Sequence, residues 1–150
     1  MHEDEVEGSV AVKMLDVREA TSDQQFLENV YNEILTLWKL RNCGGVVELK
    51  EVYEDSKHIY LVLEFQASGS LLRQLLKKKT LPDHQVQFIM VQLLLTLDFM
   101  HREQVLHRDI KLDNILIRKL ENKGDFYEVK LADFGLAGFL PEDKNTKLYD

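Results

Sequence analysis

Three side chains with oxygen donors fall close together in the second half of the chain. Asp109 and Asn114 stand five residues apart in VLHRDIKLDNILI, residues 105–117, and Asp133 follows in LADFGLA. Carboxylate and carboxamide side chains are hard oxygen ligands. Lys111 places an ammonium two residues after Asp109. A second lysine of interest is Lys13, in VAVKML near the N-terminus. The alternation there predicts a strand with Val10 and Val12 on one face and Ala11 and Lys13 on the other. A strand lysine is ordinarily an exposed edge residue; a chemical use for it requires an acidic partner.

Glu33 can supply that partner. Ser22 and Gln25 form a capping box, and the pattern after them predicts a helix to about Leu40. Phe26, Val30, Ile34 and Leu37 recur at helical spacing as its buried stripe, and Glu33 borders that stripe. A carboxylate at such an edge either turns to water or meets a cation. Asn42, Gly44 and Gly45 then mark a turn. Val46–Tyr53 and His58–Phe65 read as strands around the polar turn Glu54–Lys57. After the loop Ala67–Ser70, a short helix is predicted over Leu71–Lys79, with Lys77, Lys78 and Lys79 as its solvated end. A long helix opens at Pro82 and Asp83 and runs to about His101. It is apolar nearly all round, which predicts burial on most sides. Ile115–Ile117 and Tyr127–Leu131 read as short strands, joined by Lys119–Asp125 with a turn at Gly124.

The bulk properties exclude several classes. A net charge of −7 argues against a general nucleic-acid binder. The most apolar stretch, Val86–Met100, contains Gln87, Gln92, Thr96 and Asp98, and is too short and too polar to span a bilayer. Residues 1–8, MHEDEVEG, read as a frayed acidic tail and carry no basic-then-apolar signal. Cys43 is the only cysteine, so no intrachain disulfide can form, and it reads as a small core residue. The expected setting is a reducing compartment, cytoplasmic or nuclear, with no membrane association.

His107, Arg108, Asp109 and Asn114 fit H-R-D-x-x-x-x-N, which resembles the catalytic loop of protein kinases. VAVK followed by a helix glutamate resembles the kinase strand lysine and its partner, and Asp133-Phe134-Gly135 resembles the D-F-G signature. The four signals stand in the family's order, and the likeness covers nearly all of residues 9 to 140. It implies an α+β, protein kinase-like two-lobe fold in truncated form. Residues 9–66 would supply an antiparallel sheet and helix of the N-lobe. Residues 67–150 would supply the C-lobe up to the activation loop.

The resemblance also implies roles and ligands, ATP and Mg²⁺ among them. Lys13 would hold the α- and β-phosphates and Glu33 would hold Lys13. Asp109 would orient a protein hydroxyl and accept its proton, and Asn114 and Asp133 would hold Mg²⁺. Lys111 resembles the lysine of serine/threonine kinases that meets the γ-phosphate. Ala11 and Leu116 would line the adenine pocket, Leu63 would be the gatekeeper, and Glu64 and Gln66 would offer backbone groups to the base. Leu37, Leu49, His107 and Phe134 would stack as an apolar spine. Arg108 would answer a phosphorylated activation loop, where Thr146 and Tyr149 lie.

The departures matter as much. No G-x-G-x-x-G exists, and only Gly8 precedes Lys13. The only prolines are Pro82 and Pro141, so no A-P-E signature is present. The helix Val86–Met100 is therefore expected to show an apolar patch above the few hundred Å² usual for a monomer, one that a partner would cover. Two functions follow: a protein serine/threonine kinase acting on a protein substrate, or a catalytically inactive nucleotide-binding or interaction module.

Overall fold

The computed structural model describes residues 8–17, 24–121 and 124–140. The first half contains β1 (Val10–Asp16), α1 (Gln24–Lys39), β2 (Leu49–Glu54) and β3 (His58–Glu64). The second half contains α2 (Leu71–Lys78), α3 (Asp83–Arg102), β4 (Val105–Leu106), β5 (Ile115–Lys119), β6 (Tyr127–Leu131) and β7 (Gly138–Phe139). Both neighbours of β3 are antiparallel to it, in the order β1-β3-β2. The β2–β3 turn closes on one side chain: Asp55 Oδ1 accepts the N–H groups of Lys57 and His58 at 2.7 and 2.8 Å. β5 and β6 form a separate antiparallel hairpin, and β4 pairs with β7.

Two apolar clusters hold these elements. The smaller lies between α1 and the sheet, around Val30, Ile59 and Leu61. The larger joins the end of α1, the connection to β2, helix α3 and the β5–β6 hairpin, with Leu37, Val46, Leu93, Met100, Leu131 and Phe134 among its members. Alternation in the hairpin explains its place. Ile115, Ile117, Tyr127, Val129 and Leu131 point into this cluster, while Leu116, Arg118, Glu128 and Lys130 stay half-buried on the other face.

Several expectations shift. The first expected hairpin strand begins at Leu49 and not at Val46. Val46 makes a parallel bridge to Leu131 and the Val47 N–H donates to the Leu131 carbonyl at 2.9 Å, so β6 draws this segment out of the sheet. Helix α2 stops one residue early because Lys79 is left-handed, at φ 66°. The strands β4 and β7 were not anticipated; at two residues each they are too short to show alternation. The capping residue Ser22, most of the acidic tail, Thr146 and Tyr149 lie outside the described residues.

Helix α3 corrects a larger expectation. It is not buried on most sides: one face, Gln85, Ile89, Leu93, Thr96 and Met100, meets the core. Val86, Met90, Val91, Leu94 and Leu95 are exposed, so the helix presents apolar side chains to solvent. Among the described residues no helix is long and apolar enough to cross a membrane.

The turn after α1 touches α3 closely. A Cβ on Gly45 would lie 1.8 Å from Thr96 Oγ1, and Thr96 is itself buried. Gly45→Ala is therefore expected to destabilise the fold by about 1–3 kcal/mol through overpacking. Chemical denaturation checks this, and Thr96→Ala in the same chain should recover most of the loss.

Candidate active site

The site begins with the pleat of β1. Val10, Val12 and Met14 face water, and the alternate residues Ala11, Lys13 and Leu15 turn inward. Glu33, in the middle of α1, is buried, with 4% of its side chain exposed. Its carboxylate accepts two hydrogen bonds from Lys13 Nζ, at 2.8 and 2.9 Å. The same ammonium donates to Asp133 Oδ1 at 3.0 Å. Burial opposes the charge on Lys13, but hydrogen bonds and attraction from Glu33 and then Asp133 outweigh it and hold the pKa above its ordinary value. Lys13 is a charged link between a strand, a helix and the D-F-G segment.

Asp133 reaches this position through a left-handed backbone, φ 61°. Its neighbour Phe134 is fully buried and anchors the turn, with its ring 4.6 Å from that of His107. The His107 imidazole is tied at both nitrogens. Nε2–H donates to the Ala132 carbonyl at 3.1 Å, and Nδ1 accepts the Asp109 N–H at 3.3 Å. Burial pushes the His107 pKa down, so the neutral ring is the form that fits one donating and one accepting nitrogen.

Asp109 is fixed by two further residues of its own loop. Lys111 Nζ donates to Oδ2 at 2.6 Å, and Asn114 Nδ2 donates to the Asp109 carbonyl and to Oδ2 at 2.9 and 3.0 Å. The Lys111 hydrogen bond is the main reason the Asp109 carboxyl titrates below the ordinary range. The Asn114 carbonyl accepts the Ala132 N–H at 2.9 Å, which ties this loop to the segment before Asp133. Lys13, Glu33, Asp109, Asp133, Leu15 and Leu136 line a cavity of about 270 Å³. Four of the candidate site residues singled out in the sequence, Lys13, Glu33, Asp109 and Asp133, thus line one cleft, with Lys111 and Asn114 braced against Asp109.

The residues expected around a nucleotide base lie on β1, β3 and β5, with Gln66 in the loop after β3. Ala11 pairs with Leu63 across β1 and β3, and Leu49 pairs with Leu63 from the other side. Leu116 bridges to Ser70 after β3. Gln66 is buried, and its Nε2 donates to Glu64 Oε1 at 2.9 Å. None of Ala11, Leu63, Glu64, Gln66 and Leu116 lines the cavity that holds Lys13 and Asp109. Leu37 and Phe134 share one apolar cluster, and Leu49 packs against it.

Two features escaped the sequence reading. Arg108 is left-handed at φ 67°, and a Cβ on Gly138 would fall 2.4 Å from its guanidinium carbon, so β7 comes this close to Arg108 only because residue 138 is glycine. Lys130 Nζ pairs with Glu64 Oε2 at 2.7 Å. A lysine alternating with Val129 and Leu131 was the available signal for the second.

Donor chemistry fits a divalent cation bound mostly through phosphates. Among the described residues no group of three or more His, Cys, Asp or Glu is placed to hold a metal alone. Asp133 and Asn114 offer two oxygen-bearing side chains, and Mg²⁺ commonly uses one or two protein ligands with phosphate oxygens and water.

The sequence matches the protein kinase domain family over residues 1–149. The chain belongs to this family. The kinase domain is 32% identical over 128 residues to hormonally up-regulated neu tumor-associated kinase homolog B of Xenopus laevis, covering 85% of this chain and 19% of that protein. It is 32% identical over 165 aligned positions to serine/threonine-protein kinase PKZ1 of Phytophthora infestans, covering 100% of this chain and 40% of that protein. It is 31% identical over 136 residues to serine/threonine-protein kinase DCLK3 of Mus musculus, covering 91% of this chain and 16% of that protein. The chain thus spans less than half the length of these relatives. The sheet-plus-helix arrangement is the α+β fold that membership implies.

The neutral state of His107 sets a pH dependence. Its pKa in the fold lies below the ordinary 6.5, so the stability it contributes is full above about pH 6.5 and is lost as pH falls through the folded value. Unfolding free energy should decline from pH 7 to pH 5. In His107→Phe the decline should be shallower, as read by urea titrations at each pH.

Proposed function

We propose that this chain is the catalytic region of a protein serine/threonine kinase. It would transfer the γ-phosphate of ATP to a serine or threonine hydroxyl of a protein substrate. Residues 9–66 would form the N-lobe part and residues 67–150 the C-lobe part. The observation that carries the reading is Lys13 bridging Glu33 and Asp133 in the same cleft as Asp109.

In the proposed reaction the substrate oxygen forms a bond to the γ-phosphorus while the bond to the β,γ-bridging oxygen breaks. The hydroxyl proton passes to Asp109. Held anionic by Lys111, Asp109 is a weak base and a good acceptor, suited to orienting the hydroxyl and taking its proton late. Lys13, kept charged by two carboxylates, would meet the α- and β-phosphates. Mg²⁺, when bound, neutralises phosphate charge; Asp133 and Asn114 are the residues that would hold it. Lys111 lies 2.6 Å from Asp109, where its ammonium can also serve the γ-phosphate, and this supports serine/threonine over tyrosine. The names of the relatives from Phytophthora infestans and Mus musculus favour the same choice. Ala11, Leu63 and Leu116, with the backbone of Glu64 and Gln66, would enclose the adenine. The single buried cysteine suits a reducing, intracellular setting.

Transfer of labelled γ-phosphate to serine- and tyrosine-bearing peptides tests this. Serine labelling should fall by about 10²–10⁴-fold in Asp109→Asn, the range for loss of a general base. Equal labelling in both chains would defeat catalysis. A rise in melting temperature with Mg-ATP but no transfer would favour the nucleotide-binding module.

A further inference from the structure

The half-buried face of the β5–β6 hairpin carries two charged residues of β6, Glu128 and Lys130. Their register partners differ. Glu128 stands opposite Arg118 and pairs with it. Lys130 stands opposite Leu116, which offers no charge, and reaches out of the hairpin to Glu64 at the end of β3. The two side chains are 13% and 21% exposed, and 66 residues separate them in sequence.

Glu64 is held from three segments. Its Oε2 accepts Lys130 Nζ from β6 at 2.7 Å and the Glu48 N–H from the α1–β2 connection at 3.3 Å. Its Oε1 accepts Gln66 Nε2 at 2.9 Å. The Glu64 N–H donates to the Glu48 carbonyl at 2.9 Å, so backbone and side chain are both fixed. On the other side of the network, Lys130 lies three residues before Asp133, and Leu131 between them is tied to Gly45 and Val47 by backbone hydrogen bonds.

We infer that Lys130 is a positioning residue for the nucleotide base. It fixes residues 64–66 against β6, so the segment that meets the base and the strand that delivers Asp133 keep one geometry. The inference rests on the proposed function, in which the backbone of Glu64 and Gln66 meets the adenine. The energetics point to geometry as the gain. A sheltered ion pair recovers little more than its desolvation cost, so its worth lies in where it holds the chain. An error of about 1 Å in a binding group is enough to change affinity or rate strongly.

The test is calorimetric titration of the full chain with Mg-ATP, Mg-GTP and magnesium tripolyphosphate. In Lys130→Met, ATP affinity should fall by about tenfold and the preference for ATP over GTP should shrink, with tripolyphosphate binding unchanged. Lys130→Arg should restore ATP binding. Glu64→Gln, which keeps the side-chain shape, should reproduce the loss and serves where Lys130→Met does not fold. An unchanged ATP affinity and preference in Lys130→Met overturns the inference while leaving the proposed function standing. So does an equal loss for ATP and tripolyphosphate, or failure of both variants to fold, since the pair would then be a general structural brace. A wild-type chain that binds no Mg-ATP overturns the proposed function and the inference together.

Discussion

One ammonium shared between two carboxylates organises the molecule. Lys13 comes from β1, Glu33 from α1 and Asp133 from the segment after β6, and all three meet within 3.0 Å of Lys13 Nζ. Glu33 is too buried to carry its charge without a cation beside it. That requirement fixes the rotation of α1 against the sheet. It fixes the register of β1 as well, because a one-residue slip would send Lys13 to the outer face occupied by Val12 and Met14. It also holds Asp133 in a left-handed conformation that costs a non-glycine residue free energy.

The second half of the site hangs on a neutral imidazole. His107 joins the Asp109 backbone to the Ala132 carbonyl, and its ring lies against Phe134. The loop carrying Asp109 and the turn carrying Asp133 are thus braced against each other through a buried residue that has no place in the cleft. Asn114 repeats the connection, with its side chain on Asp109 and its carbonyl on Ala132. These ties run between adjacent loops, mostly from side chain to backbone, and they keep two carboxylates near one another without direct contact.

Much of this was legible in the residues. The strand and helix patterns placed Lys13 and Glu33 on elements that could meet, and the spacing of Asp109, Asn114 and Asp133 placed them on consecutive loops. What the residues could not show was tertiary in origin. Val46 and Val47 have strand character, yet β6 outcompetes β3 for their hydrogen bonds. Helix α3 is apolar on faces that meet no other described element, so its composition overstated its burial. The pairing of Lys130 with Glu64 spans distant segments and depends on Leu116 leaving Lys130 without a partner across the hairpin. Local pattern carries none of that.

The account is tested most directly by a double-mutant cycle on Lys13→Met and Glu33→Gln, read as unfolding free energy in urea. The shared ammonium predicts a coupling of about 1–3 kcal/mol, below the largest values for buried pairs because a third of the Lys13 side chain meets water. Single variants whose effects add to within about 0.3 kcal/mol would contradict it, since the two residues would then not depend on each other.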